Sequence, residues 1–368
     1  MISYADDMSL LTSGPTTPPL CNRMNGYLTT LAEWLKKRHL QLSPGKSTAT
    51  TFTTFSNEVN KPLPISVNGT TIPTTSKPKL LGITFDSMLT FTHHATQIVG
   101  TMRKRNAILR AIAGTTWGKQ KETLTTTYKA IGRSVLNYGA PVWSPGISAT
   151  KWQELQAQQN TAIRTITGCL KKTDVRHLHH EANMLQVKQH NIMLSEQYFL
   201  RCHQNGHVNE GIADRPSNPS RQMRPTLAST FPHHHQWRTE EPMDKTTYRT
   251  WLKAIHNQAH QDGMRGYKPP VLLGGYPPPV SEEEKDLPRS TRCKLAQLRA
   301  GYSSVLNHYL AKINPAVQDT CPKCAGTPHD VHHLFKCPRR PTSLTTEALW
   351  TSPKEAAAFL ELDTGGDS

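Results

Sequence analysis

Eleven prolines fall between residues 205 and 290 of this 368-residue chain, and no helical or strand periodicity is sustained through them. Proline removes a backbone donor and cannot continue a helix, so no single helical body or sheet can run the length of the chain. The fold must be built from segments on either side. Hydrophobic residues make up 36%, below the roughly 45–50% of ordinary globular chains on a count that includes Gly. Modest cores joined by solvated linkers are therefore expected. One helix, about 244–260, is expected to interrupt the proline-rich stretch, and the triple His233-His234-His235 reads as a solvated polar run.

On the N-terminal side, two short β-friendly stretches flank Asp6-Asp7, which suits a hairpin with the carboxylates at its tip. Leu28, Leu31 and Leu35 predict an amphipathic helix over 25–40, ended by Pro44-Gly45. Three β-rich stretches follow, at 48–55, at 65–72 with a turn at Asn68-Gly69, and at 79–85. From 94 to about 202 the pattern is helical. Ile98, Met102, Ile108, Leu109 and Ile112 form one stripe closed by Gly114, and further helices are expected over 119–138, 150–166 and 187–201. Beyond the prolines, Leu295, Leu298, Val305, Leu306 and Leu310 hold helical register over 289–313, with a short helix near 352–362. The fold class is α+β, dominated by helix, in four parts: 1–93, 94–204, a Pro-rich linker over 205–288, and 289–368.

Lys and Arg number 43 against 27 Asp and Glu, a formal net charge of +16. Such an excess favours a polyanionic partner, because each neutralised phosphate releases condensed counterions. It is densest over residues 101–140, where eight Lys or Arg face one acid, Glu122. Arg103, Lys104, Arg105, Lys119, Lys121 and Arg133 are the candidate phosphate contacts there; their plain reading is a hydrophilic helix face. No apolar run of about 20 residues exists to cross a membrane, and Asp6 and Asp7 follow Met1 too closely for a secretory signal. Seven cysteines, an odd number with no export signal, predict reduced thiols and an intracellular setting.

Three of those cysteines cluster as Cys321-Pro-Lys-Cys324, eight residues, His333, three residues, Cys337. Zn²⁺ takes four tetrahedral thiolate and imidazole ligands, and two Cys three positions apart make a knuckle presenting both sulfurs. His333 and Cys337 lie one turn apart on a helix. His332 and His329 are rivals for the imidazole. A Cys₃His set leaves no open position for water, so the site reads as structural Zn²⁺ and excludes a zinc hydrolase.

Tyr4-Ala5-Asp6-Asp7, read alone, is a polar turn. Its order with Trp34, then Leu42-Ser43-Pro44-Gly45-Lys46-Ser47, then Lys79-Leu80-Leu81-Gly82-Ile83-Thr84-Phe85-Asp86, resembles the last part of the palm of non-LTR (LINE/jockey-like) retrotransposon reverse transcriptases. Leu89, Phe91, His94, Tyr128-Lys129-Ala130 and the run Leu136 to Trp143 resemble the helical thumb of the same elements, and the C-terminal Cys-Cys-His-Cys element also fits them. The resemblance implies a truncated palm remnant, a thumb and a zinc knuckle from an RNA-directed DNA polymerase. It further implies that Asp6 and Asp7 bind catalytic Mg²⁺, and that Lys46 lies where incoming nucleotide and pyrophosphate are handled. Leu81 and Gly82 would lie in the hairpin gripping the primer. RNA and DNA are the implied partners (template-primer, element RNA and target DNA), with access to the nucleus. Polymerases of this family use a further Asp and fingers upstream of Tyr4; without them a two-metal site is incomplete, and no polymerisation is expected of these 368 residues alone. The alternative is a non-catalytic, zinc-containing nucleic-acid-binding protein derived from such an element. Apart from the resemblance, Trp34 and Trp143 read as core aromatics and Gly82 as a strand glycine.

Overall fold

The computed structural model describes residues 1–53, 55, 57–59, 61–114, 118–212, 227–240, 243–265 and 278–362, the side chains of 227 and 228 excepted. Of the expected linker over 205–288, residues 213–226, 241, 242 and 266–277 lie outside those described. The described residues form two compact units, one of residues 1–96 with 146–148, the other of 97–145 and those described from 149 on.

The first unit begins with strands β1 (Ile2–Tyr4) and β2 (Asp7–Ser9), paired antiparallel with Tyr4 opposite Asp7. Ala5 takes φ 52° in the two-residue turn. Helix α1 (Thr17–Lys36) starts eight residues before the leucine stripe suggests, because Pro18 and Pro19 occupy its first turn, where the missing N–H groups are unneeded. It buries Leu35 and packs Cys21 and Leu28 with Leu63, Ile65, Val67 and Ile72. The last two belong to or follow the tiny hairpin β3 (Ser66–Val67) and β4 (Thr70–Thr71), turned at Asn68-Gly69 as expected. A second hairpin, β5 (Lys79–Leu80) and β6 (Ile83–Thr84), turns at Leu81-Gly82 with φ 46° and 84°. Gly82 is thus a turn glycine, not a strand one, since the left-handed region admits glycine most readily. Among the described residues, the expected strand over 48–55 shows one bridge, Ala49 to Thr74. Trp34 is 49% exposed instead of buried, and Arg38 stacks its guanidinium 3.7 Å from the ring centroid.

Helix α2 (Thr92–Ala111) leaves the first unit and enters the second, burying Ile98, Met102 and Leu109 but exposing Ile108. Helix α3 (Lys121–Tyr128) runs through a π-turn (Lys129–Arg133) into α4 (Ser134–Asn137). At Gly132 an added Cβ would lie 2.6 Å from the Tyr128 ring, so the turn closes only around glycine. Then come α5 (Ala140–Trp143), α6 (Ala149–Thr167), α7 (Val175–Ala182) and α8 (Val187–Gln204). Trp143 is fully buried, as expected of a core aromatic. The short α9 (Leu227–Thr230) and α10 (His234–Trp237) precede α11 (Lys245–Met264), which Asp244 caps by accepting from Thr247 N–H. His234 and Trp237 are buried with Phe199, Phe231 and Ile255, and His233 N–H donates to Glu196 Oε1 at 2.9 Å. His233 and His234 therefore pack into a corner, while His235 is exposed, as expected of a solvated run.

The C-terminal segment belongs to this same unit. The expected helix over 289–313 is broken: α12 (Arg289–Arg299) stops at Gly301, φ 72°, before α13 (Asn307–Ala311), leaving Val305 39% exposed. After α14 (Val331–Lys336) come α15 (Ala348–Thr351) and α16 (Pro353–Phe359). Leu295 and Leu298 pack with Leu306, Val331, Phe335, Leu349 and Trp350. The other side of α12 faces the helices of 97–204. Arg289 donates to the carbonyls of Gly114, Thr165 and Ile166, closing the ends of α2 and α6 where carbonyls lack helical partners. Gly168, φ 76°, lets Cys293 approach so closely that a Cβ there would lie 2.4 Å from its sulfur. Arg299, wholly buried, donates to Glu181 (2.7 and 3.0 Å), Glu284 (2.6 Å) and the Leu349 carbonyl. Burial alone would raise the Glu181 carboxyl, but Arg299 and Lys121 outweigh it and hold it well below the usual range.

Two outcomes follow from this packing. Truncating Arg299 strands two buried carboxylates, so Arg299→Ala is expected to cost about 3–5 kcal/mol in urea denaturation; a loss under about 1 kcal/mol would contradict the network. His177, His179 and His190 are held neutral by burial, at about 4, 4 and 3. Below the ordinary histidine value the unfolded chain takes up protons that the folded one refuses, so stability is expected to fall between about pH 6.5 and 4. Buried Glu196, raised by burial to about 7, acts oppositely over part of that range, one group against three. Denaturation midpoints at pH 7 and 5 measure the balance.

Candidate metal centre

The Cys321 knuckle is built by backbone hydrogen bonds. Ala325 N–H donates to the Cys321 carbonyl, Cys321 N–H to the Gly326 carbonyl, and Gly326 N–H to Cys324 Sγ at 3.3 Å. Ala325 adopts φ 59° to close the turn. Asp330 caps α14 by accepting from His333 N–H, while Val331 and Phe335 anchor the opposite face of that helix in the core. His333 is thereby aimed outward from the core, and Cys337 follows at the helix end.

Four ligand atoms converge: those of Cys321, Cys324, His333 and Cys337 all lie within 4.8 Å of one another. The Cys321 and Cys337 sulfurs are 3.9 Å apart, and Cys324 Sγ stands 3.2 Å from His333 Nε2. Tetrahedral bonds of about 2.3 Å to Zn²⁺ set sulfurs roughly 3.8 Å apart. The three-sulfur, one-nitrogen donor set therefore fits zinc in both chemistry and spacing. Burial opposes ionisation of Cys321, but the Lys323 and Cys324 amides and the His333 side chain bring its thiol down to about 6. A thiolate is the ligating form.

Geometry separates the three histidines. His329 Nδ1 accepts from Asn307 N–H at 3.0 Å and its own N–H donates to Asp319, which also takes His308. Asn307 Nδ2 in turn holds the Thr320 carbonyl beside Cys321. His329 thus braces the knuckle, and His332 is outside the converging group. Sequence reasoning missed Asn307, Asp319 and Asp330; only Asp330 carried a signal, an N-cap residue three positions before His333.

The remaining sequence-derived residues are placed as follows. Asp6 stands in the exposed turn of the first hairpin and Asp7 at the start of β2. Among the described residues no third acid, His or Cys completes a ligand group with them. Lys46 is exposed on a 3-10 turn, with no ion pair to either Asp among the described residues. Leu81 and Gly82 form the exposed tip of the second hairpin. Arg103, Lys104, Arg105 and Lys119 are exposed, and α2 carries no acid at all. Lys121 and Arg133 depart from that face. Lys121 pairs with Glu181 at 3.1 Å, and Arg133 is buried, donating to the Leu185 carbonyl. Glu122, the one acid of the stretch, pairs with Arg292.

About half of the chain is related in sequence to the RNA-directed DNA polymerases of non-LTR retrotransposons. It is 29% identical over 235 residues to a probable RNA-directed DNA polymerase from transposon BS of Drosophila melanogaster, covering 61% of this chain and 24% of that protein. The polymerase of mobile element jockey from Drosophila funebris is 27% identical over 45% of this chain and 18% of its own length. A retrovirus-related Pol polyprotein from the type-1 element R1 of Bradysia coprophila is 27% identical over 39% and 14%. The chain spans a quarter or less of the length of these curated relatives. No family model and no solved structure matches it. No described helix is long and apolar enough to cross a membrane.

Tetrahedral Co²⁺ gives sulfur-to-metal charge-transfer and d–d absorption that reports three thiolates and one imidazole. Cys324→Ser and His333→Ala are expected to weaken Co²⁺ binding at least about ten-fold and alter the d–d envelope. His329→Ala should keep the envelope. If His329→Ala changes it and His333→Ala does not, the ligand assignment is overturned.

Proposed function

We propose that this chain is a C-terminal portion of a non-LTR retrotransposon reverse transcriptase that holds nucleic acid and does not polymerise by itself. The kinship with RNA-directed DNA polymerases carries the reading. The hairpin that puts Asp6 in an exposed turn and Asp7 beside it supports a role in a Mg²⁺ site completed by residues outside these 368. Lys46 would serve the nucleotide phosphates there, and the Leu81-Gly82 tip the primer.

The acid-free face of α2, with Arg103, Lys104, Arg105 and nearby Lys119, is the surface suited to RNA or DNA phosphates. Zn²⁺ at Cys321, Cys324, His333 and Cys337 would fix the C-terminal element. Lys121 and Arg133 drop out of the phosphate-binding set because both are engaged inside the fold.

The chain alone is expected to give no primer extension with Mg²⁺, and extension should appear when upstream polymerase sequence is joined to it and vanish on Asp6→Asn. Duplex binding should weaken with salt at a log–log slope of about −0.9 per phosphate contact. Changing Arg103, Lys104 and Arg105 together to Ala should flatten that slope by up to about three contacts. Binding with upstream sequence joined but no extension favours the non-catalytic binding protein; no salt-dependent binding sinks both readings.

A further inference from the structure

Away from the metal centre, a cleft of about 630 Å³ opens between α8 and α11 in the second unit. The two helices run antiparallel there, since Gln186 at the start of α8 donates to the Gly263 carbonyl near the end of α11. That register sorts the lining by chemistry. Lys188, in the first turn of α8, and Arg265, just past α11, are exposed cations at one end, joined by Arg176 from α7. Asp262 offsets part of this charge by pairing with Arg265 at 2.7 Å. The amino end of the long α8 adds partial positive charge. Ile192, Met193, Ile255 and Ala259 form an apolar wall.

At the far end is Glu196, 1% exposed. Its Oε1 accepts from His233 N–H at 2.9 Å and Trp237 Nε1 at 3.2 Å. Oε2 has no hydrogen-bond partner among the described residues. Next to Lys188 on the same helix, Gln189 Oε1 is a buried acceptor with no partner among them either. Glu196 Oε2 and the buried Gln189 Oε1 are therefore open to donors, while the rim suits an anion. Lys188 and Glu196 are eight residues apart on one helix, about 12 Å at 1.5 Å per residue.

We propose that this cleft binds a guanine nucleotide. Guanine presents N1–H and N2–H on one edge, and Glu196 Oε2, the oxygen that His233 and Trp237 leave unused, accepts from that edge. The ribose offers hydroxyl donors to Gln189, and the phosphate meets Lys188, Arg176 and Arg265 at the cationic end. Adenine matches poorly, because its N1 lone pair would face the carboxylate. The same chemistry comes from a free nucleotide or from a guanosine within an RNA strand. The site does not rest on the polymerase reading.

Calorimetric titration of the full chain with GMP, AMP and ribose 5-phosphate tests it. GMP should bind at least about ten-fold tighter than either of the others. Glu196→Gln, which keeps the shape, should bring GMP and AMP within about two-fold of each other. The exposed double variant Lys188→Ala with Arg265→Ala should weaken GMP about ten-fold with the fold intact by circular dichroism, which keeps the test independent of Glu196. A nine-residue RNA with a single central G that displaces GMP, where oligo-U does not, places guanine within a strand; GMP binding with no displacement places it as free nucleotide. The proposal fails if GMP gives no heat at millimolar concentration, if AMP binds as tightly, or if the double variant binds GMP unchanged.

Discussion

The guanidinium of Arg299 decides how the second unit is assembled. A wholly buried cation is sustained only by opposite charge and good hydrogen bonds, and here those come from Glu181 on α7 and Glu284 ahead of α12. Lys121 and Arg292 lie against these carboxylates at 3.1 and 3.7 Å, but Arg299 is the cation that joins the two. The ends of the chain on either side of the proline-rich stretch must therefore meet at this point. The core around Leu298, Phe335 and Trp350 grows from the other face of the same helix, and the metal centre is seated on that core. The chain of dependence runs from one ion cluster, through a two-sided helix, to four ligand atoms.

This arrangement changes what the positive charge means. Part of the excess that makes the chain basic is spent inward: Arg133, Arg289, Arg292 and Arg299 are buried and bonded to carbonyls or carboxylates. What faces solvent on α2 has no acidic neighbour on its own helix. Net charge overstates the area of basic surface but not its local strength, and phosphate binding depends on the latter.

The metal quartet was legible because its information is local. A knuckle turn and one turn of helix fix all four positions within seventeen residues, and the structure needed only to separate His333 from its neighbours. The hairpins were legible for the same reason, through Asn68-Gly69 and the paired β-friendly stretches. What the residue pattern hid depends on distant partners. Nothing near Arg299 announces Glu181, 118 positions away. His233-His234-His235 is polar by composition, and the packing of its first two members is set by Glu196 and Trp237. Trp34 shows the reverse, an aromatic left outside because α1 turns a different stripe, with Cys21 and Leu28, toward the small hairpin.

The π-turn at Lys129–Arg133 has an architectural meaning of its own. An α-helix advances about 100° per residue, so one additional residue in a turn re-phases everything after it by roughly that angle. Upstream of the turn Leu124 and Tyr128 point into the core, and downstream Leu136 does, although Tyr128 and Leu136 are eight positions apart with Gly132 closing the gap. The bulge works as a phase corrector joining two helical segments that each keep an apolar stripe. It also leaves Lys129 exposed while Arg133 is buried. Of these two neighbouring cations, which one faces solvent is thus set by backbone winding at a single glycine.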